Sequence, residues 1–163
     1  MMTPCLPDIR SLVPHSGTMV LLDRVIAVDH QSLCAEVVIR PDSLFMGADG
    51  VGSWVGIEYM AQAIAALAGH AARLDGDAVK VGFLLGTRRY EARCSCFAPG
   101  SVLRVVVQRA FKADNGLGSY DCRIDDASHG ADGDADDAQW LARATITVFQ
   151  PDDVTVFLEG KSE

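Results

Sequence analysis

Two side chains able to exchange protons stand out by position. Glu58 is the one carboxylate in the apolar run 50–73, and His15 sits between Pro14 and Gly17 ahead of the first β-rich stretch. An acid on an otherwise apolar element costs on the order of a few kcal/mol if it is buried without a partner, so its presence asks for a use. If a helix begins just before Glu58, the amides of Ser53, Trp54 and Val55 are unpaired and partly positive there, a donor set suited to a polarised carbonyl oxygen. Gln62, one turn beyond Glu58, shares its face and can orient the carboxyl group. The helix terminus favours the carboxylate, whereas Trp54, Ile57 and Met60 favour the neutral acid; burial is expected to prevail, leaving Glu58 able to donate a proton. The structural alternative is a Glu58 tied to a buried base or a backbone amide. His15 is the candidate base, with a hydrogen-bonding anchor as its plainer role.

Periodicity gives the elements that must position these groups. From Trp54 to about Leu74, Ile57, Met60, Ala61, Ile64, Ala65, Ala68 and Ala71 recur at three- and four-residue spacing, while Ala63, Ala66 and Leu67 make the opposite side apolar too. Such a helix spans roughly 31 Å and reads as one wrapped by other structure. Glu58, Gln62, His70 and the many alanines argue against a membrane span. Ser53 is the expected N-cap, and His70 is expected near the last carbonyls. Upstream, 19–29 and 33–40 read as a hairpin through His30, Gln31 and Ser32, stopped by Pro41. Downstream, strands are expected at 79–95, 101–112, 117–126 and 139–149, with Pro99-Gly100 and Asn115-Gly116 at turns. Residues 125–137 are acidic and glycine-containing and read as a solvated, mobile loop that includes His129. The class is α+β: an antiparallel sheet curled around one long central helix, a single domain over 1–163 with its core at about 12–150. Core packing is the expected place for Trp54, with a ligand tunnel lined by Trp54 and Tyr59 as the alternative.

With 14 basic against 22 acidic residues the net charge is -8, which supplies no general phosphate-binding surface and excludes nucleic acid as a partner. The N-terminus lacks the basic stretch and apolar core of a signal peptide, so a cytoplasmic protein with reduced thiols is expected. Of the five cysteines (Cys5, Cys34, Cys94, Cys96 and Cys122) only Cys94 and Cys96 are close; with no second cluster, no metal site is expected. On one strand, those two would share a face as packing residues. Arg88, Arg89 and Arg93, with Arg104, Arg109 and Lys112 beyond them, are the one basic concentration: either a docking patch for an acidic partner or charges alternating on solvated strands.

Several segments resemble, in order and at compatible spacing, the FabZ-type dehydratases of 3-hydroxyacyl groups held on acyl carrier protein. Residues 13–25, VPHSGTMVLLDRV, are similar to that family's opening LPHxxPFLLVDRV, and residues 52–62, GSWVGIEYMAQ, to its helix motif PGVLxxEAMAQ. Residues 86–90, GTRRY, and Pro99-Gly100 are similar to the strand and turn that follow. The PHxGxMxLLD opening, WVGIEYMAQA and the terminal VFQP of 148–151 resemble the ApeP-like branch more closely, whose members are assigned to aryl polyene pigment pathways. The resemblance covers residues 12–149. It implies a hot-dog fold, a homodimer or heterodimer of hot-dog chains, and a substrate held on the phosphopantetheine of an acyl carrier protein with no cofactor of the enzyme's own. The implied reaction is loss of water from a 3-hydroxyacyl thioester to give a trans-2-enoyl thioester, in fatty acid or polyene synthesis, with Glu58 as the acid. Arg88, Arg89 and Arg93 would meet the acidic carrier. One position departs: the histidine of the family's GHFPG element, fourteen residues before the helix acid, is Leu44 here.

Three readings follow. The first is a dehydratase with Glu58 as acid and His15 as base. The second is a non-autonomous subunit that lends Glu58 or a substrate wall to a histidine-bearing partner. The third is an acyl thioesterase, in which the helix acid activates water.

Overall fold

The computed structural model describes residues 5–128, 140–152 and 159. One helix, α1 (Gly56–Leu74), lies in the hollow of a six-stranded antiparallel sheet. Its strands are β1 (Arg24–Val28), β2 (Ser32–Val38), β4 (Phe83–Ala92), β6 (Val102–Lys112), β7 (Leu117–Asp126) and β8 (Trp140–Phe149), in the order β1-β2-β6-β7-β8-β4. Two short strands, β3 (Val51–Gly52) and β5 (Cys96–Phe97), pair beside the start of the helix. This is the sheet-around-helix architecture expected of the sequence. Among the described residues no helix is long and apolar enough to cross a membrane.

Strict alternation along the central strands puts Leu33, Ala35 and Val37 of β2, Leu103, Val105 and Val107 of β6, and Tyr120, Cys122 and Ile124 of β7 on the concave face. The register sets Leu33 opposite Val107 and Val105 between Ala35 and Ile124, so one apolar layer runs across three strands. Onto it the helix lays Tyr59, Met60, Ala63, Ile64 and Leu67, all buried. Ala61, Ala65, Ala68 and Ala72, on the other side of the helix, are only partly covered.

Turn chemistry fixes the hairpins. The Asp29 carboxylate accepts hydrogen bonds from the amides of Gln31 and Ser32 and from the Ser32 hydroxyl, which closes β1 on β2 and holds its own pKa below the ordinary value. Gly100 and Gly116 take positive φ at the two expected turns.

Four expectations need correction. The first strand is five residues long and starts at Arg24 rather than at 19, because Gly17–Met19 forms a 3-10 turn and the backbone at 19–21 bonds to a helix side chain instead of a strand. The expected strand at 79–95 begins at Phe83 and ends at Ala92, and Cys94 lies outside the short β5 that holds Cys96, so these two do not share a strand. Ser53 is no side-chain cap: Ser53–Val55 is a 3-10 turn and α1 begins at Gly56. His70 does not close the helix C-terminus; the carbonyls of Ala71, Ala72 and Arg73 receive the amides of Asp75, Asp77 and Gly76, and Arg73 is the cation of the last turn. Of the acidic segment 125–137, Asp125 and Asp126 belong to β7, while 129–137, with His129, lies outside the described residues.

Candidate active site

Glu58 sits in the first turn of α1, where the helix dipole favours a negative charge. Its Oε1 is held by Gln62, whose Nε2 donates to it over 3.1 Å from one turn further along. Gln62 is completely buried, and its amide is fully used: Nε2 also donates to the Met19 carbonyl (2.8 Å), and Oε1 accepts the Leu21 amide (2.9 Å). One side chain thus replaces a strand partner for the chain at 19–21 and fixes the acid.

His15 reaches the same carboxylate from the N-terminal segment. Asp8 caps a 3-10 turn, Ile9–Ser11, and Leu12 and Val13 pack inward. The backbone of Leu12 lies directly against Gly69, whose missing Cβ makes the approach possible. Arg73 donates to the Ser11 hydroxyl (2.7 Å) and Arg10 to the Gly17 carbonyl (3.2 Å), so the loop is tied down on both sides of His15. The His15 Nε2 then stands 3.5 Å from Glu58 Oε1. Its Nδ1 is buried and meets no hydrogen-bond partner, so only Nε2 can pass a proton to or from a ligand. The two side chains are 28% and 37% exposed, enough to be reached from the cleft they border.

That cleft has a volume of about 750 Å³ and runs from Pro14, His15 and Glu58 along one side of α1 to the ends of β4, β6, β7 and β8. The size is that of a ligand site rather than a packing defect.

Of the donors expected at the helix start, the Ser53 amide is engaged by the Ser95 carbonyl (3.0 Å) and is no free oxyanion donor. Neither Ser53, Trp54 nor Val55 borders the cleft. Trp54 is 65% exposed rather than in the core; it meets the exposed Phe45 edge to face at 5.8 Å. Tyr59 is buried against Phe97 and does not border the cleft either, so neither aromatic lines a tunnel. Tyr90 donates to the Ser53 carbonyl and anchors the turn; burial pushes its phenol up to about 12.

Arg89, Arg93 and Arg143 are linked through Glu91 and the Trp140 ring where β4 pairs with β8. Arg88 is exposed, Arg89 is 2.5 Å from Glu91, and Arg93 stacks on Trp140 at 3.7 Å, with Arg143 over the same ring. Arg109 and Lys112 instead border the far end of the cleft. Leu44 is 37% exposed and does not border the cleft. Next to it Phe45 takes φ 68°, a left-handed conformation unusual for an aromatic residue. Sequence reasoning missed the anchoring role of Gly69 and the double bond of Gln62 to the chain at 19–21; both are contacts between segments far apart in the chain, with no local signal.

Among solved structures, the chain is similar to a chain of the dehydratase heterocomplex ApeI:P from Xenorhabdus doucetiae. The identity is 27%, with 95% of this chain and 99% of that one covered and a TM-score of 0.81. Two further structures share the fold at lower identity. The PaaI protein of the phenylacetic acid degradation operon of E. coli is 13% identical, covering 77% of this chain and 80% of that one at TM-score 0.55. A hypothetical thioesterase with coenzyme A from Streptococcus pneumoniae is 10% identical, covering 78% and 84% at TM-score 0.56. No curated protein matches the chain. The family model that matches residues 7–159 is that of the ApeP dehydratase, and the chain belongs to this ApeP-like family of hot-dog proteins.

Proposed function

We propose that this dehydratase acts on 3-hydroxyacyl groups carried as thioesters on the phosphopantetheine arm of an acyl carrier protein, with Glu58 as acid and His15 as base. The supporting observation is the 3.5 Å approach of His15 Nε2 to Glu58 Oε1 at one end of an open cleft. His15 Nε2 takes the C2 proton, the released pair forms the C2=C3 bond, and the C3 hydroxyl leaves as water with a proton from Glu58. The product is a trans-2-enoyl thioester. Because the two atoms adjoin, the proton gained by His15 can pass back to Glu58 and reset the pair.

A second reading rests on Leu44. With an exposed leucine where related enzymes hold a histidine, and exposed Phe45 and Trp54 beside it, this chain forms a mixed dimer with another hot-dog protein that supplies a histidine to Glu58. The similarity to a heterocomplex chain supports such pairing. One assay separates the readings: a 3-hydroxyacyl carrier thioester incubated with the purified chain alone and with a histidine-bearing hot-dog partner. Under the first reading the chain works alone, Glu58→Gln lowers kcat about 10²–10⁴-fold and His15→Ala by a similar factor. Under the second it is idle alone, and in the mixed dimer only the Glu58 change is severe. Free acid and thiol among the products would assign a thioesterase instead.

A further inference from the structure

Ser53, in the turn that opens α1, is held at both of its backbone groups. Its amide donates to the Ser95 carbonyl (3.0 Å), and its carbonyl accepts the Tyr90 hydroxyl. Cys94 lies between these two holders and Cys96 just beyond them, both half-buried free thiols. Cys96 also pairs with Gly52, and Phe97 with Val51, so the cysteine segment is strapped to the helix start. Residues two apart have Cα atoms at most about 7 Å from each other, and on an extended chain their side chains point the same way. The bend at Ser95 shortens that span toward the roughly 4.4–6.8 Å that a disulfide bridges. Burial, and then the neighbouring Cys96 thiol, push the Cys94 thiol above its ordinary value, so the two sulfurs are near enough to feel each other's charge. Cys5, Cys34 and Cys122 stand far from any other cysteine in the sequence. Among the described residues no group of three metal-ligating side chains forms, so the chemistry open to the pair is that of two thiols.

We infer that Cys94 and Cys96 are a modification site, at which a reversible disulfide forms and releases the start of α1. The oxidant is a low-molecular-weight disulfide. The Cys96 thiolate attacks one of its sulfurs and expels a thiolate, leaving a mixed disulfide; the Cys94 thiolate then attacks the Cys96 sulfur and expels the second. The two protein thiols are oxidised to one disulfide, the small disulfide is reduced to two thiols, and the protons pass to solvent or to the departing thiolates. The new ring contains the whole backbone of Ser95. Drawing the sulfurs to a bond of about 2.0 Å turns the Ser95 dihedrals, and its carbonyl swings away from the Ser53 amide. Ser53 precedes Glu58 by five positions, so the acid shifts with the turn that leads into it. So small a ring is strained and readily reduced, which makes the bond a switch rather than a structural staple. Its effect on turnover rests on the dehydratase reading of Glu58; the disulfide itself does not.

The test treats the full chain, alone and with a hot-dog partner, with glutathione disulfide and then with dithiothreitol. Trypsin cuts after Arg93 and Arg104, so one peptide carries both cysteines. In the oxidised chain that peptide should be lighter by two hydrogens and carry no glutathione, and dithiothreitol should restore it. Amide hydrogen exchange at Ser53 should quicken about 10-fold on oxidation, for the loss of one hydrogen bond. Dehydration should fall about 10–100-fold, as expected of a catalytic group displaced by about 1 Å. Cys94→Ser and Cys96→Ser should match the reduced parent in turnover and form no internal disulfide. Two retained thiols, or glutathione adducts that never close, overturn the inference, and so does a disulfide that leaves Ser53 exchange unchanged. Undiminished dehydration by a fully cross-linked chain overturns the link to Glu58. Faster Ser53 exchange with no dehydration in either redox state leaves the switch standing and removes the proposed chemistry.

Discussion

Two loops flank the start of the central helix, and they are built in opposite ways. The N-terminal loop at 14–21 is pinned: Leu12 rests on Gly69, Arg73 holds Ser11, and the completely buried Gln62 binds the backbone at both Met19 and Leu21. It delivers His15 to Glu58. The loop at 43–50 is short, closed by its own backbone bonds (Met46 to Ser43, Gly47 to Gly50), and presents Leu44 and Phe45 outward beside Trp54. The pinned loop fixes the position of its histidine beside Glu58, whereas the other exposes apolar side chains of the kind found at contact surfaces. His15 is thus held by the first loop and Leu44 by the second, and only the first reaches the helix acid in this structure.

The largest stability effect expected from breaking the pinned side comes from Gln62→Leu. It removes both bonds to the chain at 19–21 and leaves an amide and a carbonyl short of partners, at a cost of about 2–4 kcal/mol. For a chain of this size that lowers Tm by roughly 5–15 °C in a calorimetric scan. Turnover at a temperature where the variant is folded should fall as well, since Glu58 loses its orienting donor. A variant with unchanged Tm would show that the N-terminal loop is not held by this side chain.

Gly69→Ala acts on the same loop from below. Alanine is worth up to about 1 kcal/mol more than glycine in a helix, but the new Cβ meets the Leu12 carbonyl, a backbone group with nowhere to go. Overpacking costs about 1–3 kcal/mol, so the net is a loss. Because Leu12 is three residues from His15, dehydration should drop more than stability does. A stabilised and fully active variant would mean that the contact yields freely.

These contacts also mark how far the sequence could be read. The helix was legible because small and apolar residues recur at helical spacing over about twenty positions, and the turns because Asp29, Gly100 and Gly116 have local reasons to be there. The extent of the first strand was not, since the partner of its expected first residues is a glutamine 41 positions away from Leu21. Trp54 was expected in the core because it opens an apolar run, yet burial there is decided by which loops cover the helix start. Glu58 and Gln62 were legible as a pair one turn apart. The approach of His15 to Glu58 crosses 43 positions and was open to sequence only as a hypothesis, through residue types.

Tyr90 joins the two halves, since its hydroxyl fastens the turn before α1 to the edge strand β4. Its pKa is raised from about 10 to about 12 by burial. The sign follows: between those values the unfolded tyrosine ionises while the folded one stays neutral, so unfolding releases a proton and stability falls as pH climbs. Below pH 10 this contribution is constant. Tyr90→Phe should therefore cost about 1 kcal/mol near neutrality, for the lost hydrogen bond, and flatten the decline between pH 10 and 12 in denaturant titrations. An unchanged alkaline slope would assign that decline to Tyr59, which burial also pushes up to about 12.

The smallest effect is expected from Leu44→His, which places a histidine where related enzymes have theirs. Leu44 is partly exposed, outside the cleft, on a loop whose backbone bonds do not involve its side chain. Stability should stay within about 0.5 kcal/mol of the parent. Position 44 does not border the cleft that Glu58 lines, so the new imidazole should not restore the activity removed by His15→Ala. The double variant, assayed alone and beside the singles, separates the loops directly. Recovery in the chain alone would mean that two copies exchange loops, making Leu44 a vacated catalytic position facing the Glu58 of a second copy. Absence of recovery is the outcome expected if the proposed base belongs to the pinned loop and position 44 lies apart from Glu58.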